Sequence, residues 1–476
     1  MTTTERPALH LHRLPDDVLV LVMQRLAVDD LLACRLVCKR LGGLALQPDA
    51  WRHRRLDDDK PCVCAVLGLA PCLDKAVYSK KVHTTAFMTT RCAVRHLTLI
   101  IKKGTECARA CLAVRNQEAL GRLRNVELEV WRSPEDVAPL DDADALLRTL
   151  VALSPGLESL DLLNGLPTPY AMRPVLHGPC RPSLRYFRCA LSQRYENFVN
   201  TVLAGHAATL QEVHLGHDHC EESTLELLVG MSELRALTCR LCPGMRALAS
   251  CEMLRDVSFS MFRKDTPETV VQVKGLADFF RQAGQLRTVS IEFRYGDFDF
   301  ENFDDLMAAL ASSGESLVHQ LSVVNLPYAA PLLSALPRLP ALRVLGVLNS
   351  PLIDFDLDVD TVDELLVGLT APSLRRLELS TLDTDGCLHE WLHRDEVARV
   401  LTANPSLHVH VWGTHGCRRW ERCEECALGC HREVTGDYRK GRRVGLFSHG
   451  PGKCTHPEDH ITGDKWTWIH IRCVSG

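Results

Sequence analysis

The feature that most constrains this chain is a short apolar pattern, LxxLxL, that recurs from residue 94 to beyond residue 400. It reads VRHLTL (Val94, Leu97, Leu99), LRNVEL (Leu123, Val126, Leu128), LESLDL (Leu157, Leu160, Leu162), LRYFRC (Leu184, Phe187, Cys189) and LQEVHL (Leu210, Val213, Leu215). It continues with LRALTC from Leu234, LRDVSF from Leu254, LRTVSI from Leu286, VHQLSV from Val318, LRVLGV from Leu342 and LRRLEL from Leu374, and ends in a degenerate LHVHVW from Leu407. Successive starts lie 20 to 34 residues apart. A period of that size belongs to stacked repeats, in which no unit buries its own apolar face and neighbours share one core.

Each segment alternates at its end, which predicts a short strand with Glu127, Asp161 and Glu378 on its outward face. Helix-period stretches lie between strands: DADALLRTLVAL, GLADFFRQAG, VDELLVGL and DEVARVLTANP. Pro155, Pro182, Pro340, Pro372 and Pro405 each stand two residues before a leading Leu. Proline cannot continue the preceding helix and biases its neighbour to extended geometry, so it marks the turn from helix to strand.

These residues resemble the leucine-rich-repeat family in its long, helix-containing form. The resemblance implies an α/β fold: a curved solenoid of about twelve repeats over residues 94–413, with a strand and a helix in each. An ordinary α/β sheet with a parallel core is the alternative, and the regular spacing speaks against it.

The N-terminal stretch LPDDVLVLVMQRLAVDDLLACRLVCKRL, residues 14–41, is organised differently. Val18 to Met23 are six apolar residues in a row, but Gln24 and Arg25 interrupt them. That is too short for a secretory core of roughly 7–15 residues or a membrane span of about 20. At about 100° per residue, Val18, Leu19, Val20, Leu21, Val22, Met23 and Leu26 cover most of a helix's circumference, so more than one side must be buried. A second helix is expected from Asp29 or Asp30, either of which can cap it; it supplies Leu31 and Leu32, with Leu36 a further candidate. A third segment, VCKRLGGLAL, follows, in which Gly42 and Gly43 weaken the helix. A unit this small is marginal alone, and contact with a partner is the usual remedy.

The order LP, apolar helix, DDLL, C, VCKR and a terminal W is similar to the F-box, a three-helix module by which substrate receptors dock on the Skp adaptor of a cullin-based ubiquitin ligase. The matching residues are Leu14, Pro15, Val18, Leu19, Met23, Leu26, Leu31, Leu32, Cys34, Val37, Cys38 and Trp51. Leu41 stands where the family usually has Trp. The resemblance implies an F-box over residues 12–56, a connector or irregular first repeat over 57–93, and a role as the substrate-recognition subunit of a Skp–cullin–F-box ligase. In that role the F-box holds the adaptor and the repeats hold a protein substrate. A repeat scaffold that works without a ligase, its N-terminal helices serving as a cap, is the other reading.

Net charge of −5 and a pI near 6.5 give no pull toward nucleic acid or an anionic membrane. The 21 cysteines, mostly at apolar positions such as Cys189 and Cys239, read as reduced thiols in the cytosol or nucleus. No phosphate loop, Ser-His-Asp order or HExxH motif is present, so a non-catalytic receptor is expected.

Two acidic segments follow strands, YGDFDFENFDD and DFDLDVDTVDE. Their Asp297, Asp299, Glu301, Asp354, Asp356, Asp358 and Asp360 form a candidate rim for a basic substrate, against the plainer reading of solvated loops whose last carboxylates, Asp305 or Asp363, complement helix N-termini. Residues 414–476 form a tail rich in Cys, His and Trp. No cofactor is expected. Cys423, Cys426, Cys454 and Cys473 are the candidate zinc ligands, but a second CxxC is missing. The favoured reading is a solenoid cap in which Trp420, Trp466 and Trp468 cover the last repeat. His214, His217, His219 and Cys220 read as a loop cluster rather than a metal site.

Overall fold

A computed structural model describes residues 14–57, 63–79, 84–102, 105–131, 143–152, 156–163, 182–190, 195–216, 220–262, 267–294, 300–312, 314–349, 359–369, 372–381, 392–413, 443–450, 453–460 and 466–471. The chain forms two compact units, Met1–His214 and Leu215–Gly476.

The first unit opens with four helices, α1 (Asp16–Met23), α2 (Val28–Val37), α3 (Lys39–Ala45) and α4 (Pro48–Trp51), one more than expected. Strands and helices then alternate: β1 (Arg55–Leu56), α5 (Val63–Leu69), β2 (Cys72–Tyr78), α6 (Thr84–Thr89), β3 (Ala93–Ile101), α7 (Thr105–Ala119), β4 (Asn125–Val130) and α8 (Ala143–Ala152). β5 (Ser159–Leu163), β6 (Tyr186–Cys189), α9 (Glu196–His206) and β7 (Glu212–His214) complete it. The strands pair in parallel and in chain order. Residues 57–93 are therefore not a bare connector. Leu73, Ala76 and Tyr78 of β2 stand in register with Val94, Leu97 and Leu99, so LDKAVY is a repeat with small and aromatic replacements.

The second unit holds α10 (Glu222–Val229), β8 (Ala236–Arg240), β9 (Asp256–Phe262), α11 (Pro267–Gln282), β10 (Thr288–Arg294), α12 (Phe300–Leu310), β11 (Gln320–Val324) and α13 (Ala330–Ala335). It continues with β12 (Val344–Leu348), α14 (Val359–Gly368), β13 (Arg376–Thr381), α15 (Asp395–Ala403) and β14 (His408–Gly413). β8 to β14 are parallel. Between β8 and β9 the repeat is shortest and has only a 3-10 turn, Met245–Ser250, in place of a helix. Pro340, Pro372 and Pro405 lie in turns between helix and strand; Pro155 lies outside the described residues.

All three apolar positions of the first eleven repeats are buried, none more than 4% exposed, and in the degenerate twelfth Leu407, Val409 and Val411 are buried. The register explains why: Leu97 pairs with Val126, Val126 with Leu160, Leu160 with Phe187 and Phe187 with Val213, so each rung of the core repeats at the same height. Where a helix returns to the next strand, buried or half-buried polar side chains satisfy backbone groups that no ladder reaches. Gln117 accepts from the Val94 N–H at 2.8 Å and donates to the Cys92 carbonyl at 3.0 Å. His206 Nδ1 accepts from Ser183 N at 3.1 Å, and Asn404 donates to the Leu374 carbonyl at 2.8 Å.

At the far end of the second unit the sheet continues past residue 413 with β15 (Arg443–Phe447), antiparallel to β14, and β16 (Trp466–His470), parallel to β15. Trp466 and Trp468 pack against β14, with ring centroids 4.7 and 5.2 Å from His410. Gly445 makes that possible: a Cβ there would fall 2.3 Å from the Trp468 ring. Arg443 lies 4.0 Å over the Trp412 ring, a cation–π contact. Trp420 lies outside the described residues. Cys189, Cys239 and Cys251 are among the free, buried thiols of the described residues. Burial pushes the Cys189 thiol upward, as suits a small apolar core residue. No helix among the described residues is long and apolar enough to cross a membrane.

Candidate functional site

The four N-terminal helices form a module with its own core. On α1, Leu19, Val20 and Met23 share one face and are buried, whereas Leu21 and Val22 point the other way and are 59% and 43% exposed. On α2, Leu31 is fully buried, whereas Leu36 and Val37 are 82% and 68% exposed. Asp29 and Asp30 do not cap this helix. It starts one residue earlier, with Ala27 before it, and the two carboxylates sit in its first turn, where the dipole favours them. Gly42, expected to weaken α3, serves a close crossing instead: a Cβ there would meet the Arg35 carbonyl oxygen at 3.0 Å.

Three side chains bind the module together. Trp51 is fully buried and donates from Nε1 to the Ala45 carbonyl at 2.6 Å. Arg40 joins α3 to the start of α1 through the Asp16 carboxylate, Nε to Oδ1 2.8 Å, and the Leu14 carbonyl, 2.6 Å. Arg54 donates to the carbonyls of Met23 (2.6 Å), Leu26 (2.8 Å) and Ala50 (2.8 Å). It thereby adds a charged donor to carbonyls at and beyond the end of α1 and within α4. Burial lowers the Arg54 pKa from its ordinary value. The Arg54 carbonyl in turn accepts from Asp74 N at 2.9 Å, which ties the module to the first strands of the repeats.

The expected docking residues therefore divide. Pro15, Val37 and Cys38 are exposed; Leu14, Val18, Leu26, Leu32 and Cys34 are half-buried. Leu19, Met23, Leu31 and Trp51 lie in the module's interior, where they support the surface from behind. Leu21, Val22 and Leu36 are exposed apolar residues that the motif alone did not single out. Leu36 was expected inside, but a helix starting at Val28 turns it outward.

The outward sheet face of the first unit is charged. Glu127 Oε2 accepts from Lys75 Nζ at 2.9 Å and Thr98 Oγ1 at 2.8 Å, with His96 Nε2 at 3.2 Å. Burial pulls the Glu127 carboxyl up, but hydrogen bonds from Lys75 and Thr98 outweigh it and hold the pKa below the ordinary value. Burial, then Lys75, lower His96. Asp161 accepts from Arg188 Nε at 2.8 Å, yet burial raises its pKa. In the second unit the matching row runs through Thr238, Ser258, Ser290, Ser322 and Gly346, which are small and uncharged, before it reaches Glu378 and His410.

Of the acidic rim, Asp297, Asp299, Asp354, Asp356 and Asp358 lie outside the described residues. Glu301 and Asp360 fall in the first turns of α12 and α14. Asp363 lies further along α14 and accepts from Arg394 Nη1 at 2.9 Å. Among the candidate zinc ligands, Cys423, Cys426 and Cys473 are outside the described residues; Cys454 is described, and its neighbours are histidines rather than cysteines. His217 and His219 are also outside, His214 is on β7, and Cys220 is buried.

Comparison with known proteins bears on the module. Residues 11–57 match the family described as F-box-like, so the chain contains an F-box-like domain covering about a tenth of its length. The four helices and the Arg54 clamp fall inside that span. Among solved structures, an internalin from Listeria monocytogenes is similar at 11% identity, over 62% of this chain and 75% of that one, with a TM-score of 0.24. Comparison with curated proteins finds no match.

Proposed function

We propose that this chain is the substrate-recognition subunit of a Skp–cullin–F-box ubiquitin ligase. The carrying observation is that the F-box-like module leaves Leu21, Val22, Leu36 and Val37 in water while its own core is complete without them. An apolar surface on so small a module is the mark of an interface. A Skp-family adaptor, and a cullin through it, would occupy that surface. The outward faces of the repeats would hold a protein substrate, and ubiquitin transfer would follow from proximity rather than from chemistry by this chain. A reducing compartment, cytosol or nucleus, fits that role.

Co-expression with a Skp adaptor tests the reading. The wild-type chain is expected to co-purify with it, and a Leu36→Asp/Val37→Asp variant to lose capture at least about tenfold while staying folded. If the folded wild-type chain leaves the adaptor behind, the ligase role fails and a scaffold without a ligase becomes the better description.

A further inference from the structure

Four side chains converge at the end of the second unit. His408 opens β14, His449 follows β15, and Cys454 and His460 flank the 3-10 turn Pro457–Asp459 before β16. One donor atom from each lies within 4.8 Å of all the others. His408 Nε2 is 3.5 Å from Cys454 Sγ, and His449 Nε2 is 3.3 Å from His460 Nε2. Zinc–nitrogen bonds of about 2.0–2.1 Å and a zinc–sulfur bond of about 2.3 Å, at tetrahedral angles, put two nitrogens about 3.3 Å apart and nitrogen about 3.5 Å from sulfur. These two separations match two of the six edges of such a tetrahedron, and the other four are no longer than 4.8 Å.

We propose that His408, His449, Cys454 and His460 bind one zinc ion as a closed, structural site. Two separate hydrogen bonds would account for each short contact, but not for both pairs facing a common centre. The surroundings suit a metal. The His408 Nδ1 lies 3.3 Å from the Arg375 carbonyl oxygen, an outer contact that keeps the proton on Nδ1 and leaves Nε2 free to ligate. The Trp468 ring lies 4.3 Å from His460, and the Phe447 ring 4.9 Å from His449, which limits water around the centre. With four protein ligands no position remains for substrate, so the ion would be structural. One thiolate with three imidazoles at tetrahedral geometry favours zinc over the oxygen-seeking cations. The ion would tie together the strand reversal at which β15 turns antiparallel to β14.

The full-length chain, purified without chelator and supplied with zinc, is expected to retain about one ion per chain by elemental analysis. Cys454→Ser and His449→Ala are each expected to lower that ratio at least about fivefold, and Cys423→Ser/Cys426→Ser to leave it unchanged. Cobalt loaded into the wild-type chain should show intense tetrahedral absorption with a charge-transfer band from a single thiolate, and lose that band in Cys454→Ser. A wild-type ratio well below one, a weak octahedral cobalt spectrum, or zinc lost with Cys423 and Cys426 but kept without Cys454 would overturn the assignment. The cobalt spectrum is read on the unmutated chain, so a variant that misfolds cannot mask the answer.

Discussion

The helical module and the repeats treat apolar side chains in opposite ways. In the repeats every leading apolar position is buried, whereas the four short helices of the module leave Leu21, Val22, Leu36 and Val37 largely in solvent. The repeats bury these positions because each strand is covered by the next, although Leu112, Val270, Val271 and Val367 on their helices stay exposed. Among the described residues the module has no such neighbour over Leu21, Val22, Leu36 and Val37, yet it is internally satisfied: Trp51, Arg40 and Arg54 have their bonds. A region that is closed and still apolar outside is the observation behind the proposed adaptor surface.

The largest effect expected from breaking this contrast is on the module's own core. Trp51→Ala removes a fully buried ring and its bond to Ala45, and should cost about 3–5 kcal/mol by chemical denaturation. A loss below about 1 kcal/mol would mean that the module is not closed by its own packing.

Next comes a titratable group buried, neutral, among the repeats. His206 is 2% exposed, and burial pushes it from 6.5 down to about 4. Unfolded, the imidazole takes a proton near pH 6.5; folded, it resists until about pH 4. Between those values the unfolded chain binds more protons, so stability is full above about pH 6.5 and is lost as pH falls toward 4, by up to about 3 kcal/mol. His206→Asn keeps an acceptor for the Ser183 N–H but cannot titrate in this range. Urea midpoints at pH 7 and pH 5 should differ in the wild-type chain and converge, on this contribution, in the variant.

The same contrast decides what could be read from the sequence. The repeated strands were legible because one pattern recurs twelve times, so no single position had to be right. The repeat at β2 stood as one of two readings of residues 57–93, a connector or an irregular first repeat, because Ala76 and Tyr78 stand where the pattern has leucines. Gln117 and His206 were missed because a polar residue at a helix end looks like surface until a neighbouring turn needs its hydrogen bond. The F-box motif names residue types in order but not the side each faces, so buried Leu31 and exposed Val37 looked alike. The histidines around Cys454 come from separate strands and loops, and only folding brings them together.

A smaller loss is expected where the module meets the first strands. Arg54→Met keeps the aliphatic length and removes three bonds to the carbonyls of Met23, Leu26 and Ala50. About 2–3 kcal/mol should be lost, since those carbonyls then have no charged donor. Hydrogen exchange should rise at the end of α1 more than in β3. A uniform rise across the unit would show the clamp to be part of the repeats rather than a joint between the two.

The smallest effect on folding sharpens the comparison most. Leu31 and Leu36 lie on the same helix, one fully buried and one 82% exposed. Leu31→Ala should cost about 2–5 kcal/mol, whereas Leu36→Ala should stay within about 0.5 kcal/mol of wild type. In an adaptor-binding assay the order should invert once the protein is folded: Leu36→Ala alone weakens capture by an amount that its stability cannot explain. A Leu36→Ala that destabilises as strongly as Leu31→Ala would mean that the chain covers this side itself. The module would then hide its apolar residues as the repeats do, and the argument for a partner at that surface would go with it.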